Sequence, residues 1–212
     1  MNGKSDISRE SQIIRGRKLE YFTIVYNAME GLISIAAGLF AGSVSLIGFG
    51  IDSVIEMTSG AALLWRLNHE YNPERRASAE RTTLRIVGIC FIALAIYLLC
   101  DSGSMLFGHK APERSIPGIA IAAISVVVMP LLARAKRQVA VAIGSAAMRA
   151  DSRQTDFCTY LSAILLCGLL LNAFFGWWWA DPVAALAMVP IIANEGFKSL
   201  KGDKCCDDCG CH

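Results

Sequence analysis

Two carboxylates, Asp52 and Glu56, stand four residues apart inside the run Ser-Val-Ser-Leu-Ile-Gly-Phe-Gly-Ile-Asp-Ser-Val-Ile-Glu-Met, which holds no basic residue. At that spacing they share one helix face. An ionisable group inside a membrane-spanning helix costs roughly 2.5–3.5 kcal/mol on insertion scales and is rare unless used. Two anionic oxygen donors on one face of a buried helix therefore point to a cation site. A second polar set lies at Asp151, Gln154, Thr155, Cys158 and Ser162. At about 100° per residue these fall within roughly 100° of each other, whereas Asp156 points about 140° away from Asp151. A third stripe, Asn27, Glu30/Gly31 and Ser34, recurs at helical spacing. Ser, Thr, Asn and Gln in membrane helices also serve as interhelical glue, and that reading stays open for Asn27, Ser34, Thr155 and Ser162. Asp151 reads either as the ion-pair partner of Arg149 or Arg153 or as an entrance ligand. Glu30 reads as a salt-bridge partner or a proton acceptor.

The C-terminal end, Cys205-Cys206-Asp-Asp-Cys209-Gly-Cys211-His212, gathers thiols and an imidazole within a few residues. Cys206-x-x-Cys209 has the ligand spacing of a clip for zinc or a softer metal; palmitoylation or a flexible reduced tail are the plainer readings. The remaining cysteines, Cys90, Cys100, Cys158 and Cys167, lie in apolar segments, and no spacing suggests a disulfide framework. His69 and His109 read as ordinary loop residues.

The elements that must position these groups are long apolar blocks. Of 212 residues 54% are hydrophobic, with a mean hydropathy of +0.47, and the pattern is that of an all-α, polytopic membrane protein. Six spans are predicted, over about 20–40, 44–66, 83–101, 116–134, 148–172 and 180–197, each near the roughly 20 residues a bilayer crossing needs. Residues 41–43 join the first two into a tight antiparallel hairpin. Lys and Arg crowd the N-terminal tail, the segment from Arg66 to Arg85, the end of span 4 (Arg134, Lys136, Arg137), the start of span 5 (Arg149, Arg153) and the C-terminal end, while the other side holds only Lys110 and Arg114. By the positive-inside rule both termini are cytoplasmic, and an even number of spans agrees. The Trp177–Trp179 run then sits at the outer interface as an anchor. Depth agrees with a shared site: at ~1.5 Å per residue, Glu56 and Cys158 each lie about 20 Å below the outer ends of their spans. The chain divides into a tail over 1–18, a transmembrane domain over 19–198 and a Cys-rich cytoplasmic tail over 199–212. No nucleophile–base set, phosphate loop or soluble catalytic domain is present, which argues against an enzyme, and nothing points to nucleic acid.

With these residues in view, the chain resembles the cation diffusion facilitator family of divalent metal/proton antiporters. The resemblance rests on Asn27, on Gly42-Ser43 followed by Asp52-Ser53-Val-Ile-Glu56, on Ala150-Asp151 opening span 5, and on Trp178-Trp179-Ala180-Asp181-Pro182 opening span 6. It implies a tetrahedral transition-metal site between helices 2 and 5, with Asp52, Glu56, Cys158 and Gln154 as the metal-site positions and Asn27, Glu30 and Asp151 as accessory groups. It departs from the family pattern in three ways. Glu56 replaces the usual Asp, the usual His-x-x-x-Asp of helix 5 is replaced by Gln154 and Cys158 when aligned without gaps (a gapped alignment would use Asp156, against the helical wheel), and the family's C-terminal cytoplasmic domain is missing from these 212 residues. The expected activity is efflux of a divalent cation, Zn²⁺ or Cd²⁺ by its oxygen and sulfur donors, exchanged for protons, with the metal as cargo rather than cofactor. Cys205, Cys206, Cys209, Cys211 and His212 would gather metal at the cytosolic face. The partners implied are metal ions, protons, the lipid bilayer and a second copy in a homodimer; the expected location is the plasma or inner membrane. The competing reading is a metal-binding membrane sensor or accessory subunit that transports nothing.

Overall fold

The computed structural model describes residues 3–41, 44–69, 72–108, 116–175, 177 and 179–201. Among them lie six helices: α1 (Gly3–Ala41), α2 (Val44–Asn68), α3 (Pro73–Gly108), α4 (Ile116–Ile143), α5 (Ala146–Phe175) and α6 (Ala180–Lys201). Helices α1 to α4 contain stretches long and apolar enough to cross a membrane: Arg9–Phe40, Leu46–Asn68, Arg75–Gly108 and Ile116–Ile143. Helix α5 has the length for a crossing, but Arg149, Asp151, Arg153 and Asp156 lower the hydropathy of its first half. The large apolar side chains that remain exposed, such as Phe22, Val25, Met29 and Leu32 on α1 and Ile124, Val127 and Leu131 on α4, form the surface expected to face lipid.

Several helices outrun their apolar cores. Helix α1 starts at Gly3 rather than near residue 20, α3 at Pro73 rather than near 83, and α4 continues to Ile143 rather than stopping near 134. The extensions of α1 and α4 form a second apolar core with α2 and α5, in which Ile13, Leu67, Val139, Ala140, Ile143 and Met148 are buried together, while the extension of α3 is held by the polar contacts of Glu80. The larger core joins α3, α5 and α6 through Val87, Phe91, Leu94, Leu161 and Ile192. Pro130 and Pro190 sit within α4 and α6 without ending them, as neighbouring helices permit in a bundle.

The closest helix pairs are α1 with α2, α3 with α6 and α4 with α5. Small residues allow the first two approaches: a Cβ on Gly31 would stand 3.2 Å from the Gly50 carbonyl oxygen, and one on Gly88 would stand 3.0 Å from that of Gly196. Helices α4 and α5 meet at a tight turn in which Gly144 adopts φ 67°, a left-handed conformation that favours glycine. Ser145 then caps α5, its Oγ accepting from the Met148 N–H at 3.1 Å.

Polar contacts define a terminus end of the bundle. Arg9 donates to the Ile143 carbonyl (3.0 Å) and Arg17 to the Leu67 carbonyl (2.9 Å). Glu80 on α3 pairs with Arg66 on α2 and accepts from Ser145 Oγ (2.9 Å) and the Ala147 N–H (2.7 Å). Arg66, expected as a basic residue at the end of the second span, is a buried residue of α2. At the opposite end, the start of α2, the end of α3, the second half of α5 and the start of α6 surround a cavity of about 50 Å³.

Candidate functional site

Asp52 and Glu56 both point into the bundle: Asp52 is 4% exposed and Glu56 not at all. Neither faces lipid. Glu56 Oε1 accepts a hydrogen bond from Thr155 Oγ1 on α5 at 2.6 Å, which ties the second helix to the fifth. The Cys158 thiol, also buried, stands beside both carboxylates. Yet one oxygen of each acid, Asp52 Oδ1 and Glu56 Oε2, has no hydrogen-bond partner among the described residues. Gln154 is fully buried, with both amide atoms unpaired. Buried polar atoms are ordinarily satisfied, so this concentration of open acceptors between α2 and α5 is where a cation would be stabilised. No three His, Cys, Asp or Glu side chains among the described residues already form a metal-holding group. The side chains are neighbours, not a finished cage.

Asp52 also lines the cavity at the end away from the termini, beside Tyr97, Asp101 and Ser102 of α3. Tyr97 bonds Asp101 and its hydroxyl lies over Gly48, where a Cβ would come within 1.3 Å of it. One wall of the carboxylate site thus borders an opening to that side.

The accessory residues are placed differently from one another. Glu30 accepts from Ser53 Oγ at 3.0 Å and from Ser125 on α4, and Ser125 is shared with the Tyr26 hydroxyl at 2.8 Å. Its partners are hydroxyls. Asn27 donates to the Thr23 carbonyl at 2.9 Å, leaving its own oxygen open. Asp151 pairs with neither Arg149 nor Arg153. Its Oδ2 takes the Lys136 ammonium at 2.6 Å and its Oδ1 accepts from Ser59 Oγ at 2.7 Å. Arg153 pairs instead with Glu195 on α6. Asp156 pairs with Arg137 on the half-exposed side of α5. Cys205, Cys206, Cys209, Cys211 and His212 lie outside the described residues.

Two residues that sequence reasoning missed stand beside the site. Lys136, counted there among the charges that follow the fourth span, is fully buried, and so is Glu20, whose Oε2 lies 3.1 Å from the Lys136 ammonium. A signal for Lys136 existed: Met129, Leu132, Ala133, Lys136, Val139, Ala140 and Ile143 form one continuous buried face of α4. Glu20 likewise extends the Asn27–Glu30–Ser34 stripe by two helical turns.

A bundle of apolar helices with acids turned inward is a multi-pass membrane protein. Residues 21–202 match the cation efflux transmembrane domain, and the chain belongs to that family, one of membrane transporters rather than enzymes. It is similar to the cation-efflux pump FieF of Shewanella oneidensis, with 23% identity over 171 residues covering 78% of this chain and 57% of the relative. It is also similar to the uncharacterized transporter MJ0449 of Methanocaldococcus jannaschii, with 28% identity over 185 residues, 82% of this chain and 64% of the relative. A third relative, the uncharacterized transporter sll1263 of Synechocystis, is 24% identical over 168 residues, 74% of this chain and 52% of the relative. The chain thus spans between about half and two thirds of the length of these relatives.

Proposed function

We propose that this chain exports a divalent, thiophilic cation, Zn²⁺ or Cd²⁺, in exchange for protons, and that the ion binds between α2 and α5 at Asp52, Glu56 and Cys158, with Gln154 as a neutral oxygen donor or a group behind them. One observation carries the reading: Asp52 Oδ1 and Glu56 Oε2 are buried without a partner while a thiol stands beside both acids. Two carboxylates neutralise a dication. A thiolate adds a soft donor, which suits Zn²⁺ or Cd²⁺ better than Mg²⁺. A modest inward movement of α5 would complete the donor set, and alternating access would follow from helices rocking around it.

Proton exchange follows from the same chemistry. Cysteine and carboxylate ligands bind metal only when deprotonated, so metal binding releases protons, and acidification weakens binding. Thr155 holds Glu56 toward α5, and Glu30, held by Ser53 and Ser125, is a proton acceptor near the path. The Cys-rich end would concentrate thiophilic metal at the cytosolic face of a plasma or inner membrane, and the family resemblance favours a homodimer.

Metal flux into proteoliposomes across an imposed pH gradient tests the proposal. Wild-type chain should move Zn²⁺ or Cd²⁺ and dissipate the proton gradient, while Asp52→Ala and Glu56→Ala each abolish flux. Metal binding by the wild type without flux would make it a binding or sensing protein instead.

A further inference from the structure

The groups that this site does not use form a second cluster on its terminus side. Lys136, Glu20 and Asp151 are all fully buried, and the ammonium lies 2.6 Å from Asp151 and 3.1 Å from Glu20. The three come from α4, α1 and α5, and Ser59 of α2 closes the group by donating to Asp151 at 2.7 Å. Ser59 is three residues from Glu56, and Asp151 is four from Thr155, so the cluster lies about one helical turn from the central acids. Lys136 acts electrostatically on Glu56 as well.

One ammonium stands between two buried carboxyl groups, and Glu20 meets it only through the ion pair at 3.1 Å, neither of its oxygens having a hydrogen bond of suitable geometry among the described residues. A buried acid that loses its cationic partner is strongly destabilised, so these two acids require a cation between them. The position is therefore a cation site whose occupant is a side chain. A lysine suits this use because its compact charge sits on a flexible four-carbon stem and can leave by rotation alone.

We propose that Glu20 and Asp151 form a second, inner position for a divalent cation, and that the Lys136 ammonium is its tethered occupant, which an ion arriving from the terminus end must displace before it reaches Asp52 and Glu56. This rests on the transport reading above. While Lys136 is seated, it links α1, α4 and α5 and closes the terminus side of the central site. When a dication takes its place, the three helices lose that link and the charge passes inward. The lysine is thus a competing cation that excludes weakly bound ions and resets the position after each passage.

Equilibrium dialysis of the purified full-length chain against Cd²⁺ tests this, with Cys205, Cys206, Cys209 and Cys211 changed to Ser to remove the tail thiols. In an Asp52→Asn/Glu56→Gln background, which removes the central acids, adding Lys136→Met should create binding of a further Cd²⁺, and adding Asp151→Asn to that chain should remove it. A monodisperse, helical Lys136→Met chain that binds no more Cd²⁺ than its background overturns the proposal. Should Lys136→Met fail to fold, Glu20→Gln, which keeps the Lys136–Asp151 pair, decides the matter. With Cys158 as the sole cysteine, a membrane-impermeant maleimide added on the terminus side should react several-fold faster in Glu20→Gln than in its parent; an unchanged rate overturns the proposal. Neither readout requires flux. If these results hold and flux is absent, the transport reading fails while the inner cation position stands.

Discussion

Thr155 and Cys158 stand nearly one turn apart on α5 and act on the same acid in different ways. The Thr155 hydroxyl fixes one oxygen of Glu56 at 2.6 Å and leaves the other open. A hydrogen bond to a charged group contributes about 1.5–3 kcal/mol, so Thr155→Val should weaken metal binding by about 10- to 150-fold, as measured by titration of the purified protein. If affinity were unchanged, Glu56 would not need α5 to hold it. Cys158 supplies softness rather than position. Cys158→Ala should shift the preference from Cd²⁺ toward Mn²⁺ in competition binding, whereas Asp156→Ala, which removes only the partner of Arg137, should leave it unchanged; the reverse result would place Asp156 in the site. The carboxylate pair and its helix-5 neighbours were legible from spacing, because a helical period fixes which side chains share a face. Lys136 was not. A cation at the end of an apolar run reads as an interfacial charge, and only the partners on α1 and α5, distant in sequence, make its burial tolerable. The same distance hid the pairing of Asp151, for which the nearby arginines were the natural candidates.

The number and order of the helices follow from apolar blocks, and all six expected spans have counterparts in α1 to α6. Their ends do not follow, because hydropathy registers what prefers lipid and is silent about helix that packs on helix. The terminus-end core of Ile13, Leu67, Val139 and Met148 extends α1 and α4 beyond their apolar runs. Nor does an apolar pattern show that α3 pairs with α6, a choice made by shape. A Cβ on Gly88 would lie 2.8 Å from Leu200 Cγ and 3.0 Å from the Gly196 oxygen, and one on Gly196 would lie 3.0 Å from Phe91 Cβ. Backbone cannot yield as a side-chain tip can, so Gly88→Ala should destabilise the bundle by about 1–3 kcal/mol, the usual cost of overpacking. Gly103→Ala on the same helix, where nothing lies within 4 Å, should instead stabilise by about 0.5–1 kcal/mol, the ordinary helix gain of Ala over Gly. Unfolding in detergent followed by circular dichroism compares the two. Equal effects would mean that α3 and α6 are not held by close approach.

Across the whole molecule the two ends differ in kind. The terminus end is closed by ion pairs and hydrogen bonds that join α1 to α5, with Lys136 and Glu80 at their centres. The other end holds the cavity that reaches Asp52 between α2, α3, α5 and α6. This conformation therefore borders Asp52, and not Glu56, with a cavity on the side away from the termini. Which side of the membrane that is rests on charge. Even with Arg66 and Lys136 withdrawn into the bundle, the basic residues outside Lys110 and Arg114 fall in segments joined to the terminus end, so we propose, by the positive-inside rule, that this end is cytoplasmic. The two arguments combine into one expectation. In intact cells, an Asp101→Cys chain lacking other cysteines should react with a small membrane-impermeant methanethiosulfonate added outside, because residue 101 lines the cavity and is only part-buried. An epitope placed before Met1 should stay hidden in the same cells until they are permeabilised. A visible epitope with a protected thiol would reverse the orientation. A hidden epitope with an unreactive thiol would show that the cavity is closed to water, and the route from Asp52 to the outside would then need a conformation other than this one.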